Sequence, residues 1–168
     1  MEDEVRRFRN ALGEFVTGVT VITTCDATGQ PFGLTANSFA SLSLSPPLVL
    51  WNLGDHADCY RVFKAAEHFA IHVLHHGQSA VSNRFATKGD DKFASLEWSA
   101  GVCGSPVLND YAMLFECRTE AVHPGGDHLI MVGRVERFDS GAEGSPLLYY
   151  RGGYRGLDAG PDDPPAPR

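Results

Sequence analysis

The sequence predicts a mainly β protein: a six-stranded antiparallel sheet closed into a barrel, with helices at its periphery. Three observations carry that prediction. Apolar, β-branched runs recur about six times and are bounded by Gly, Pro, Asn and Asp. They follow one another in hairpin order, without the regular β-α-β alternation of a parallel sheet. Finally, 168 residues suit one domain, in which closing the sheet removes the exposed edges of an open one.

The elements follow in order. Val5, Phe8, Leu12, Phe15 and Val16 recur at helical spacing, so residues 4–16 read as an amphipathic helix ended by Gly18. Residues 19–25 form a strand, and the turn DATGQ (26–30) leads into a second strand at 31–39. Pro46 and Pro47 open a strand at 48–53, whose unbroken apolar run predicts burial on both faces. A short helix at 57–66 precedes a strand at 68–74, and a second helix at 77–87 runs into a charged loop at 88–92. Two long strands between 111 and 138 flank the turn PGGD (124–127). A last strand at 147–150 ends in the turn 151–153. The domain thus spans 1–157, and the proline-rich residues 158–168 read as a disordered tail.

Composition excludes several classes. A net charge of −7 argues against general nucleic-acid binding but permits a local basic pocket. No apolar run reaches the roughly 18–20 residues that span a bilayer, and MEDEVRRFRN lacks the apolar core of a secretory signal. Cys25, Cys59, Cys103 and Cys117 show no CxxC spacing and read as buried, reduced thiols of a cytoplasmic protein. The seven histidines fall in no metal-binding pattern, and no G-x-S-x-G marks a nucleophile. The glycines near Tyr154 lack the strand and helix of a Rossmann site.

Three stretches invite a ligand. In GLTANSFASLS (33–43), small residues replace the bulky ones a buried strand prefers. A flat ligand can approach such a backbone and bond to it, to Asn37 and to the hydroxyls; a serine-rich turn would look the same. In NRFATKGDDKF (83–93), Arg84 and Lys92 each precede a phenylalanine and suit a phosphate, or else belong to a solvated loop. His128, entering a strand from a glycine turn, suits a nicotinamide or pyrophosphate, or is simply capped by Asp127.

Together these stretches, with FVTGVTVITT (15–24), GSPVL (104–108), GDHLIMVGRV (126–135) and PLLYYRGGY (146–154), resemble the short-chain flavin reductase family. That family comprises FMN-binding split-barrel reductases that supply two-component monooxygenases, and the likeness covers residues from about 6 to 157. It implies a Greek-key barrel that forms a homodimer and reduces non-covalent FMN or FAD with NADH or NADPH for a partner monooxygenase. Carried over by position, Thr35, Ala36, Asn37 and Ser38 would line the isoalloxazine and ribityl chain. Ser41 and the strand-end residues Asn52 to Asp58, Ala57 among them, would approach the ribityl or phosphate. Arg84, Phe85, Lys92 and Phe93 would complete the phosphate side, with His128 and Tyr154 on the nicotinamide side. The segment LGDH (53–56) carries no Arg or Lys where many relatives have one, and His72 replaces an Asn or Ser. Such a site needs no catalytic acid, base or metal, because the cofactors carry the chemistry and the protein orients them. A non-catalytic flavin-binding barrel, or a split-barrel oxidase with its own organic substrate, remains the alternative.

Overall fold

A helix and two short strands begin the chain in the computed structural model, which describes residues 2–89 and 91–157; the expected tail at 158–168 lies outside the described residues. The helix α1 (Glu2–Leu12) stops before the expected residue 16, and Thr17–Gly18 instead forms a short strand, β1. The strand β2 (Thr20–Cys25) then turns into β3 (Pro31–Ala36). The turn is locked by Asp26, whose Oδ1 accepts from the N–H groups of Thr28 and Gln30 and from the Thr28 hydroxyl.

Next come β4 (Ala40–Leu44), β5 (Pro47–Gly54), α2 (Tyr60–Ala65), β6 (His68–Val73) and α3 (Ser79–Ala86). A small hairpin, β7 (Trp98–Ala100) and β8 (Pro106–Leu108), precedes the long pair β9 (Met113–Gly125) and β10 (His128–Ser140). The strands β11 (Leu148–Tyr150) and β12 (Gly153–Arg155) close the chain and pair with β1 in a separate small sheet.

The fold class is the one the sequence predicts, although the main sheet has seven strands rather than six, in the order β3-β2-β6-β9-β10-β5-β4. Its pairings are antiparallel throughout. The additional strand is β4, an exposed, serine-containing edge that pattern reading passes over. The order itself forces the sheet to curl. Laid flat, seven strands at about 4.8 Å spacing would part the edges by roughly 29 Å. Yet β3 and β4 are those edges, and only residues 37–39 join them, a link that spans at most roughly 14 Å. The result is a barrel left open along one seam.

The core fills this barrel. Trp51, fully buried on β5, meets Phe63 and Phe69 edge to face, with ring centroids 5.3 and 5.7 Å away. The burial of β5 alternates, so the expectation of burial on both faces is corrected: Val49, Trp51 and Leu53 point inward, and the residues between them are only partly covered. A second cluster under α3 gathers Val21, Leu74, Phe85 and Phe93.

The cysteines are free thiols, but only Cys59 and Cys117 are buried; Cys25 and Cys103 are half-covered, which corrects the expectation for those two. No helix among the described residues is long and apolar enough to cross a membrane.

Candidate active site at the seam

At an open seam, each edge strand has a neighbour on one side only, so part of its backbone hydrogen-bonding capacity faces outward. A cleft near these groups measures 840 Å³ with its mouth and runs along β3, the 37–39 link, the end of β5 and the C-terminal end of α3. Thr35, Ala36, Asn37 and Ser38 line one wall. Asn52, Ala57 and Asp58 line another, with Phe85, Lys92 and His128 completing it. Phe93 lines an adjoining cleft.

Two of the hydroxyls tie the walls of the cleft together. Thr35 Oγ1 donates to the Ser82 carbonyl at 2.6 Å and ties β3 to α3. Ser38 Oγ accepts from the Asn52 N–H at 2.9 Å and stitches the link to β5. The lining along this wall consists of small side chains, with Asn37 exposed among them.

Lys92 is one of two lysines lining the cleft. Its ammonium donates to the carbonyls of Gly33 at 3.2 Å and Phe85 at 3.1 Å. An ammonium has three donors, so one remains for an anion in the cleft. Arg84 departs from the prediction: its guanidinium turns away to the Ala94 carbonyl and lies outside the cleft lining. Ser41 also lies outside it, exposed on β4 where the edge runs away from the link. Tyr154 braces α3 from behind: Ser82 Oγ donates to its hydroxyl at 2.8 Å, and that hydroxyl donates to Asn83 Oδ1 at 3.0 Å.

His128 faces the cleft from the start of β10, opposite Gly54 on β5. Its Nδ1 meets Asp127 Oδ1 at 2.7 Å. That hydrogen bond, with the imidazole charge, holds the Asp127 carboxyl below its ordinary value. His56 lines the cleft beside it, with the two imidazoles edge to face at 6.2 Å. A Cβ on Gly54 would lie 2.7 Å from the His56 ring and 3.3 Å from His128 Nε2, so glycine makes room for both. Lys88 and Thr87 also line the cleft. His56 falls within the strand end 52–58 that the resemblance points to, whereas Lys88 was not singled out; the signal available for it was its place in the charged loop after the second predicted helix.

His72 is a core histidine, with Nδ1 at 3.1 Å from the Val21 carbonyl and Nε2 accepting from the Leu108 N–H at 3.1 Å. Among the described residues no group of three or more His, Cys, Asp or Glu side chains is placed to hold a metal.

Fold and site together define a split antiparallel barrel with a lysine-bearing cleft along its seam. The chain belongs to the Flavin reductase like domain family, whose model matches residues 12–158. It is 45% identical over 152 residues to the reductase component of the flavin-dependent trigonelline monooxygenase of Acinetobacter baylyi, covering 90% of this chain and 49% of that protein. The chain therefore spans about half the length of that curated relative. It is 46% identical over 149 residues to the FMN reductase (NADH) SmoA of Agrobacterium fabrum, covering 89% and 84% of the two chains. Among solved structures, the NADH:FAD oxidoreductase SgcE6 of Streptomyces globisporus, in complex with NAD and FAD fragments, superposes with a TM-score of 0.87 at 34% identity, covering 96% of each chain.

Proposed function

We propose that this protein is an NAD(P)H-dependent flavin reductase that passes reduced flavin to a partner monooxygenase. The observation that carries the reading is the seam: strand edges with a neighbour on one side only, small side chains and two lysines, Lys88 and Lys92, lining one cleft. A flavin fits these residues, since its ring has a polar edge for main-chain groups and its phosphate suits Lys92. When bound it supplies the hydride acceptor, with a nicotinamide as donor. The chain's own residues orient: Thr35, Ala36, Asn37 and Ser38 along the ring, Asn52 and Ala57 along the ribityl chain, Lys92 and Lys88 at the phosphate. The relatives' names as monooxygenase reductase components support the partner.

His128 is assigned to the nicotinamide, fixed by Asp127 so that Nε2 faces the cleft. His128→Ala is expected to lower kcat/KM for NADH by about tenfold or more, a loss of over ~1.4 kcal/mol of transition-state stabilisation. An unchanged kcat/KM would remove His128 from that role.

A homodimer is part of the proposal. Val5, Phe8, Leu12 and Phe15 are all more than half exposed, an apolar stripe that a second copy would cover. Sedimentation at the mass of a single 18.2 kDa chain would contradict it. The free thiols suit a reducing, cytoplasmic setting.

The deciding experiment mixes the purified protein anaerobically with each pairing of NADH or NADPH and FMN or FAD. Catalytic bleaching of flavin absorbance is expected with at least one pair. Its absence with all four would overturn the reductase assignment while leaving the family intact.

A further inference from the structure

The small terminal sheet is separate from the barrel sheet, yet one of its side chains reaches α3, which forms part of the seam cleft. Ser82, fully buried on α3, is held from both sides. Its carbonyl accepts from Thr35 Oγ1 on β3, and its hydroxyl donates to the Tyr154 hydroxyl on β12 at 2.8 Å. That direction follows from the single proton of the Tyr154 hydroxyl, which goes to Asn83 Oδ1 at 3.0 Å. Asn83 is exposed, so water can replace Tyr154 there. Ser82 is shut off from water. Loss of the phenol oxygen leaves its proton to seek a carbonyl of its own helix, a contact that turns away from β12.

The gap between α3 and β3 has little slack. A Cβ on Gly33 would fall 2.5 Å from the Phe85 ring, so the helix sits on the strand as closely as glycine permits. Lys92 spans the same two elements, donating to the carbonyls of Gly33 on β3 and Phe85 on α3. The direction of its remaining N–H is therefore set by where α3 stands. Phe85, Ala86 and Thr87 follow Ser82 within about one and a half turns and line the cleft themselves. The brace on the other side is itself anchored. The Tyr154 ring lies edge to face with Tyr149 at 5.8 Å, and Arg151, in the same hairpin, donates its N–H to the Gly13 carbonyl and pairs with Glu14.

We propose that Tyr154 is a positioning residue for flavin binding: its hydroxyl, through Ser82, sets α3 against β3 and so aims Phe85 and Lys92 at the ligand. It acts on the cleft without lining it. This is a different role from the nicotinamide contact that the resemblance implies, and it rests on the seam cleft being the flavin site.

Tyr154→Phe tests it by removing the hydroxyl and keeping the ring. Binding of FMN and of FAD is titrated by flavin fluorescence, and kcat and the KM for NADH are measured at saturating flavin. The flavin Kd is expected to rise about fivefold, the effect of one hydrogen bond, with kcat and the KM for NADH unchanged. Ser82→Ala completes a double-mutant cycle. With no buried hydroxyl left to orient, Tyr154→Phe is expected to add no more than about twofold to Kd in that background.

An unchanged flavin Kd in Tyr154→Phe, or the same further loss in both backgrounds, would overturn the assignment. So would a raised KM for NADH with flavin Kd unchanged, which would give Tyr154 to the nicotinamide. If wild type bound neither flavin, the seam-cleft reading itself would fall, and this inference with it.

Discussion

Glu116→Ala is expected to destabilise the folded chain by about 3 kcal/mol, read as a lower urea midpoint at unchanged slope. Glu116 sits mid-strand on β9 with its side chain fully buried. One carboxylate oxygen accepts from Arg137 at 2.9 Å, and the other accepts from the Val102 N–H. Alanine would leave that N–H without its partner and open a void where the carboxylate was; both are costly in an interior. The neighbourhood is cut to fit the acid: a Cβ on Gly101 would fall 1.9 Å from Glu116 Oε2. Glu120→Ala provides the contrast, because that carboxylate pairs with Arg134 at the surface, where solvent screens it. A midpoint shift as small for Glu116→Ala as for Glu120→Ala would contradict the argument.

The reason this buried acid matters reaches the site. It anchors residues 101–105, the loop of the β7–β8 hairpin, through the Val102 N–H. The hairpin carries Trp98, which packs against Phe93. Glu116 thus connects through this hairpin to Phe93, which lines the cleft adjoining the seam.

Much of the fold was legible because long strands announce themselves. The runs at 19–25, 68–74 and 111–138 alternate or repeat apolar residues over enough length to be seen; the first two each hold one strand of the sheet and the third holds the pair β9 and β10. The hairpin β7–β8 was not legible, since three residues per strand carry no period. Nor was β4, where exposed serines read as a turn. The site divided along a different line. Thr35, Asn37 and Lys92 could be found because a strand crowded with small polar residues, and a lysine anchored by a following phenylalanine, are unusual locally. Arg84 could not be rejected, because only the folded chain shows its guanidinium taken by the Ala94 carbonyl. Asp58 was named for its position in the motif. Its placement at a neck between two clefts depends on Gly89, distant in sequence, and no local pattern predicts that.

Lowering the pH from 6.5 to 4 is expected to cost the fold roughly 3 kcal/mol through His72 alone. Burial pushes this imidazole down from its ordinary 6.5 to about 4, offset in part by its hydrogen bond to the Val21 carbonyl. The hydrogen bonds show which tautomer the fold requires. Nδ1–H donates to Val21, and Nε2 must be bare to accept from the Leu108 N–H. A second proton would set two N–H groups against each other in a sealed core.

In this window the unfolded chain takes up a proton that the native state refuses. Stability is therefore complete above pH 6.5 and falls as the pH drops to 4, with no further loss from this group below that. The carboxylates of Glu14, Asp26, Glu120 and Asp127 act later: each is held below its ordinary 3.8 to 4.5, so their contribution is lost only at lower pH. Urea midpoints at pH 7, 5.5 and 4 should decline in wild type and stay nearly level in His72→Gln. A glutamine amide can both donate and accept but does not titrate. A flat wild-type profile, or the same slope in both proteins, would defeat the assignment. Because His72 bonds to β2 and to Leu108 on β8, the strand it releases on protonation belongs to the same hairpin that Glu116 holds at its loop. Acid and Glu116→Ala should therefore loosen one element from its two ends, and their effects on stability should be less than additive.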